Sequence, residues 1–347
     1  MHPRSRQPAA VPMPRGFSAD AGGPEPAIEV RGLVKRFGPV QALAGVDFTV
    51  RAGELFGFLG PNGAGKTTTI NVLTGLARPD SGTIRVAGID CSADPKAAQR
   101  LIGVVPDESN LYPELTGFEN LSFCGALYGM RKREREARAR ELLETFGLAD
   151  AGDRRFGGYS KGMQRKLTIA AAIIHQPSIL FLDEPTTGID VASARQIRQL
   201  IADLHRSGAT IFLTTHYIEE AERLCQRIAF IVAGRIVRTD SLAALMQQAE
   251  GRHIVEFSLS ATDRDLCRPL TAAFPDLRCE SVGAGRLRVE SSRPLNIGPL
   301  VHFFEEHHLE VTEARKVRPS LEEVFVRITG LETTAMQKEK ERATAAQ

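Results

Sequence analysis

From Ile28 onward, short apolar runs of β type alternate with stretches in which apolar residues return every three or four positions. IEVRGLVKRF and VDFTV read as strands before the turn RAGE, and ELFGFLG reads as a buried strand. The glycine-rich turn PNGAG then leads into a helix, KTTTINVLTGL. Beyond the turn PDSG the pattern predicts a short strand TIRVAG, a helix ADPKAAQRL and a strand IGVVP. Residues 117–175 are helical in pattern. After them come the apolar run SILFL, a helix VASARQIRQLIADLHRSG ending at its glycine, the strand ATIFLTTH, and a hairpin RIAFIVAGRIV turning at Gly234. This alternation predicts an α/β fold with a mostly parallel sheet flanked by helices.

The pattern changes near Leu245. HIVEFSLS reads as a strand, TDRDLCRPLTAAF as a helix, LRCESV and RLRVESS as two strands around a GAG turn, IGPLVHFFEEHH as a helix and LEVTEARKV as a strand. The order βαββαβ is that of a ferredoxin-like α+β sandwich. A last helix follows Pro319, with Ser320 and Glu323 spaced as a capping box. The chain thus divides into a disordered leader over residues 1–27, a large domain over 28–245, a small one over 252–331 and a flexible polar tail over 332–347. Two domains fit 347 residues at roughly 150 per domain.

Composition narrows the function classes. With 42% hydrophobic and 25% charged residues, the chain has the balance of a globular protein. A formal net charge of +2 argues against nucleic acid as a partner. The basic run RKREREARARELLE interleaves acids with its bases, and Glu134 with Arg138 and Glu136 with Arg140 fall four apart, as on a solvated helix face. The five cysteines contain no CxxC pair, so neither a zinc site nor a disulfide framework is expected, and a reducing cytosol fits. The longest apolar stretch is broken by His175, Gln176 and Pro177, short of the ~20 apolar residues a spanning helix needs. The leader lacks an apolar core for a secretory signal, and Asp20 and Glu25 are out of character for a transit peptide.

GPNGAGKTT carries the strongest chemical signal. Gly60, Pro61, Asn62, Gly63, Ala64, Gly65, Lys66, Thr67 and Thr68 match G-x-x-x-x-G-K-[ST] between a strand and a helix, the context a phosphate-binding loop requires. Glycines let backbone N–H groups approach phosphates, and the helix start adds its positive dipole end. Lys66 is placed for the β and γ oxygens and the Thr67 hydroxyl for magnesium. SILFLDEP ends an apolar strand on Asp183, a candidate for the magnesium shell, and Glu184, a candidate base for the attacking water. Beside a phosphate loop, an ordinary pair of strand-end acids is the weaker reading. In YSKGMQRKL, Ser160, Lys161, Gly162 and Met163 open another helix able to receive an anion, although Ser and Gly before a helix are more often plain caps. His216 ends TIFLTTH, where an imidazole is able to donate to a γ-phosphate; alone it would more often be structural.

In this order GPNGAGKTT, YSKGM, LFLDEPTTGID and TTH resemble the nucleotide-binding subunits of ATP-binding-cassette (ABC) transporters, over about residues 28–245. The resemblance implies an ABC-type P-loop ATPase domain with a helical subdomain, ATP and Mg2+ as cofactors, and a subunit lying peripherally on the cytoplasmic face of the membrane. RPSLEEVFVRITG resembles the C-terminal extension of drug-resistance-type export ATPases that serve ABC-2 permeases, which implies a separate membrane-spanning permease and a regulatory or dimerising role for the small domain. In the family two such subunits, here expected as a homodimer, close head to tail on two ATP molecules. Phe37 would then stack on adenine, residues 160–163 of one subunit would cap the γ-phosphate held by the other, and residues 188–190 would communicate across the interface. Two departures stand out: Asp107 occupies the place of the family's usual glutamine, where it is expected to reach magnesium, and the signature reads YSKGM in place of LSGGQ. Cassette proteins acting on ribosomes or DNA are the rival class, but they resemble tandem cassettes or carry long coiled coils, and this chain has one phosphate loop and no long heptad run.

Overall fold

The computed structural model describes residues 26–250, 253–260, 266–283, 285–317 and 320–331. Most of the leader and the whole tail lie outside these residues. The chain divides after Asp240, the second unit being Ser241–Leu331. The first unit runs β1 (Pro26–Phe37), β2 (Val40–Arg51), β3 (Leu55–Leu59), α1 (Lys66–Leu73), β4 (Ser81–Val86), β5 (Ile89–Asp90), α2 (Pro95–Gln99) and β6 (Ile102–Val105). It continues with α3 (Gly117–Leu127), α4 (Lys132–Thr145), α5 (Lys161–Ala172), β7 (Ile179–Asp183), α6 (Val191–Arg206), β8 (Thr210–Thr215), α7 (Ile218–Leu224), β9 (Arg227–Val232) and β10 (Arg235–Ser241). The first strand begins at Pro26, ahead of the expected Ile28, and Ala27 within it is buried.

Two sheets build this unit. One is antiparallel, in the order β2-β1-β4-β5; the other has six strands in the order β10-β9-β3-β8-β7-β6. Within the second sheet β3, β6, β7, β8 and β9 pair in parallel, so their carboxyl ends share one edge. The fully buried sequences LFGFL, ILFLD and TIFLTT suit such a sheet, which is covered on both faces. An aromatic cluster joins the sheets: Phe48 of β2 stacks 5.8 Å from Phe56 and 5.6 Å from Phe212, and Phe181 lies 5.6 Å from Phe212. At the edge, β9 turns into β10 through Ala233 (φ 47°) and Gly234 (φ 74°), the left-handed pair that a two-residue hairpin turn needs.

The second unit runs α8 (Leu242–Glu250), β11 (His253–Leu259), α9 (Cys267–Ala273), β12 (Arg278–Gly283), β13 (Arg286–Ser291), α10 (Ile297–Glu306), β14 (Val311–Val317) and α11 (Leu321–Thr329). Its sheet has the order β12-β13-β11-β14, antiparallel throughout, as the βαββαβ reading implies. One face closes on Leu270 of α9 and on Leu300, Phe303 and Phe304 of α10. The boundary falls earlier than the expected 245 because α8, which the pattern did not reveal, packs against α11 of the same unit.

Three local expectations need correction. Arg138 does not sit on a solvated face: α4 turns Arg138, Ala139, Leu142 and Leu143 inward, and Arg138 pairs with Glu141 at 2.8 Å. Glu136 faces Lys132 instead, and Arg140 lies over the Phe118 ring at 4.9 Å. At α11 only half the capping box forms, because the Glu323 side chain is drawn to Arg288 while the Ser320 hydroxyl accepts from the Glu323 N–H. Finally, Cys267 and Cys279, 12 positions apart, form a disulfide, since the fold sets the start of α9 beside β12. Spacing rules for CxxC pairs do not register such a contact.

The disulfide has a direct readout. Under denaturing, non-reducing conditions three cysteines, Cys91, Cys124 and Cys225, should react with a thiol reagent, and all five after reduction. Cys267→Ser should destabilise the second unit by about 2–3 kcal/mol, measured by denaturant titration against the oxidised wild type. A pH effect follows from His175, whose ring stacks 3.5 Å from that of Tyr128 and whose Nε2 lies 3.0 Å from the Ile102 carbonyl. Burial lowers this histidine from 6.5 to about 4, the carbonyl contact working the other way. The unfolded chain therefore takes up the proton first, and stability falls as pH drops from 6.5 towards 4. His175→Gln should reduce the stability loss between pH 7 and pH 5 by roughly 2 kcal/mol in urea titrations at the two pH values.

Candidate functional site

The site forms where parallel strands end together, with β3 beside β8 and β8 beside β7. Leu59 is level with Thr215, and Asp183 with Thr214, so the loops leaving the three strands meet. After β3 the chain bends through Gly63 (φ 75°) and Gly65 (φ 105°) into α1. A Cβ at Gly60 would lie 2.2 Å from the Ile231 carbonyl oxygen, and one at Gly65 would lie 2.6 Å from that of Ala42. At Gly63 nothing stands within 4 Å. The loop is thus pressed against backbone behind and open in front, a cradle suited to phosphate oxygens.

Lys66 begins α1 and is buried. Its Nζ donates to the carbonyls of Gly60 at 2.8 Å and Pro61 at 3.1 Å, and lies 3.1 Å from Glu184 Oε1. Asp183, buried at the end of β7, accepts from the Thr214 hydroxyl and from Thr67. Burial raises its carboxyl above the usual range, while these hydroxyls and Lys66 pull it down. Glu184 follows in a left-handed conformation, φ 48°, with its N–H on the Thr214 carbonyl at 3.0 Å. Its Oε2 is crowded: His216 Nδ1 lies 2.7 Å away, the Thr187 hydroxyl donates at 3.1 Å and the His216 N–H at 3.4 Å. Oε1 is buried, pairs with Lys66 Nζ at 3.1 Å and has no other polar partner among the described residues. Burial works to raise Glu184, but the His216 bond and the Lys66 charge prevail and hold it below the ordinary carboxylate range. The result is an ionised carboxylate with one oxygen anchored and the other available to accept.

Lys66, Thr67, Asp183, Glu184 and His216 are thereby brought together. The remaining expected residues belong to other elements. Phe37 ends β1, is 52% exposed and carries Lys35 Nζ over one face of its ring, 5.2 Å from the centre. Ser160 caps α5 by accepting from the Met163 N–H at 3.3 Å, and Gly162 is held against α6, where a Cβ would come within 2.5 Å of Ser193 Oγ. Asp107, half-buried, follows β6. Its carbonyl and that of Pro106 accept from the buried guanidinium of Arg165 in α5, and Thr168 bonds Ser109 at 3.0 Å. These contacts fasten the loop after β6 to the helix that Ser160 opens. Arg165, Thr187, Thr214 and the buried Glu220 of α7 were not singled out from sequence. The one available signal was polar residues standing at positions where helix or strand periodicity demands burial.

Residues 43–187 match the ABC transporter family. The daunorubicin/doxorubicin resistance ATP-binding protein DrrA of Streptomyces peucetius is 40% identical over 311 residues, covering 88% of this chain and 93% of its own. The linearmycin resistance ATP-binding protein LnrL of Bacillus subtilis (strain 168) is 34% identical over 306 residues, 87% of this chain and 98% of its own. Among solved structures, the dimeric cassette MJ0796 in a post-hydrolysis state bound to ADP and Pi is 28% identical, with a TM-score of 0.57 over 62% of this chain and 98% of that one. With relatives at such identity along most of its length, this chain belongs to the ABC transporter family as an ATP-binding subunit, and it is an ATPase.

Proposed function

We propose that this subunit powers an ABC-2-type exporter by closing on a second copy of itself around ATP, with Glu184 as the catalytic base. The carrying observation is the state of Glu184: held below the ordinary carboxylate range, with Oε2 fixed by His216 and Thr187 and Oε1 facing Lys66 alone among the described residues inside the phosphate-loop cluster. Lys66 neutralises the β and γ oxygens, and the loop N–H groups cradle them. Thr67, Asp183 and Asp107 are the residues to hold a magnesium ion, which when bound supplies charge neutralisation at the phosphates. Glu184 takes the hydrogen bond of the attacking water and orients it, while His216, anchored through Nδ1, leaves Nε2 for the γ-phosphate. Residues 160–163 of the second copy cap that phosphate, and Phe37 stacks on the adenine.

A separate permease fits several features. Among the described residues no helix is long and apolar enough to cross a membrane. Phe123 and Leu127 lie one turn apart on α3 and are exposed, with the Tyr112 ring 5.2 Å from that of Phe123. Charged surface is the rule on a helical subdomain, so this apolar face is the docking surface for the membrane partner. The subunit then sits on the cytoplasmic face of the membrane. Relatives named for resistance to daunorubicin/doxorubicin and linearmycin favour a drug-like cargo. The second unit, Ser241–Leu331, takes a regulatory or dimer-stabilising role.

Lys66→Ala should lower ATP turnover by on the order of 10²-fold or more, because it removes the cation beneath the phosphates. Steady-state phosphate release by the purified variant checks this. Glu184→Gln keeps size and hydrogen bonding but removes the charge, so hydrolysis should fall by roughly 10²–10⁴-fold while ATP binding survives. ATP and magnesium should then raise the dimer fraction of Glu184→Gln in light scattering, and Ser160→Arg in the same background should reverse it. Undiminished hydrolysis by Glu184→Gln would remove it as the base.

A further inference from the structure

Glu220 is a carboxyl group that nothing above employs. It lies in α7, is 2% exposed, and its Oε1 accepts from the Thr186 hydroxyl at 2.8 Å. The Thr215 hydroxyl lies close enough to lower the carboxyl's pKa, and its own oxygen accepts from the Tyr217 N–H at 3.0 Å. Both threonines adjoin the reacting groups. Thr186 precedes Thr187, whose hydroxyl holds Glu184 Oε2, and Thr215 precedes His216, whose Nδ1 holds the same oxygen. One side chain therefore ties together the two segments whose relative placement sets the Glu184–His216 contact. The geometry needs such a tie: Glu184 stands in a left-handed conformation that a non-glycine residue leaves unless its surroundings hold it.

We propose that Glu220 is a positioning residue for ATP hydrolysis, its buried carboxyl clamping Thr186 and Thr215 so that Glu184 and His216 stay in register. The proposal rests on the reading of Glu184 as the base. Burial raises the Glu220 carboxyl above the usual range; the two threonines oppose this, the negative Glu184 adds to it and Arg198 weakly counters. Its Oε2, buried without a hydrogen bond among the described residues, would be very costly as an anion. An amide of the same shape can replace it: Gln accepts from Thr186 through its own oxygen, whereas Ala leaves that buried hydroxyl without its acceptor.

The test uses the full-length chain with ATP and magnesium, measuring kcat, KM, nucleotide affinity by equilibrium titration and thermal midpoint. Glu220→Ala should lower kcat about tenfold or more with ATP affinity within about threefold, the pattern of a loss confined to the transition state. Thr186→Val should do the same, the double variant should add little to either, and Glu220→Gln should restore most of the rate. Should Glu220→Ala fail to fold, Thr186→Val and Glu220→Gln carry the test. Wild-type kcat in Thr186→Val, or losses of kcat and affinity in parallel without rescue by Gln, overturns the proposal. Glu184→Gln measured alongside separates the two ideas. If it is inactive while the Glu220 and Thr186 variants are unimpaired, only the positioning role falls; if it remains fully active, the base assignment falls and takes the positioning role with it.

Discussion

Two adjacent carboxylates at the end of a fully buried strand are the constraint to which the rest of the site answers. An ionised carboxylate withdrawn from water costs several kcal/mol unless charges and donors surround it. Asp183 and Glu184 therefore require Thr67, Thr214, Lys66, Thr187 and His216, and find them at the start of α1, on the loop after β7 and at the end of β8. Parallel pairing sets those segments side by side, since only then do three strands discharge their chains at one edge. The same electrostatic need that selects the partners thus selects the sheet.

The antiparallel sheet serves this arrangement from behind. Phe48 carries it onto Phe56 and Phe212, and Ala42 of β2 comes so close to Gly65 that no side chain fits there. A phosphate loop backed in this way offers its N–H groups without having to reorganise, which is what electrostatic complementarity to phosphate requires.

Much of this was legible in the chain. GPNGAGKTT, the apolar strand ending on Asp183 and Glu184, and the βαββαβ order each depend on near neighbours in sequence, and each appears as read. What escaped depends on distant partners or on which way a helix turns. Thr214 reaches Asp183 across 31 residues, and Arg165 reaches the carbonyl of Asp107 across 58. Glu220 hides in the charged run EEAE, where it looks solvated until α7 is seen to turn one of its acids inward. Arg138 misled for the same reason, and Cys267 with Cys279 because pairing depends on where α9 meets β12. The family glutamine's replacement by Asp107 adds a carboxylate near Arg165, whose buried charge it helps to sustain.

The turn at Gly234 links regions that sequence keeps far apart. Its N–H donates to the Ala64 carbonyl inside the phosphate loop at 3.0 Å, and its own carbonyl accepts from Ala44 of β2 at 2.8 Å. A Cβ there would lie 2.6 Å from the Ala42 oxygen, so the turn has no slack. From it runs β10, a single strand whose last residue, Ser241, opens the second unit. Any strain at this turn therefore arrives at the backbone of Ala64 before it reaches a side chain, which makes the hairpin a brace for the bed on which phosphate rests.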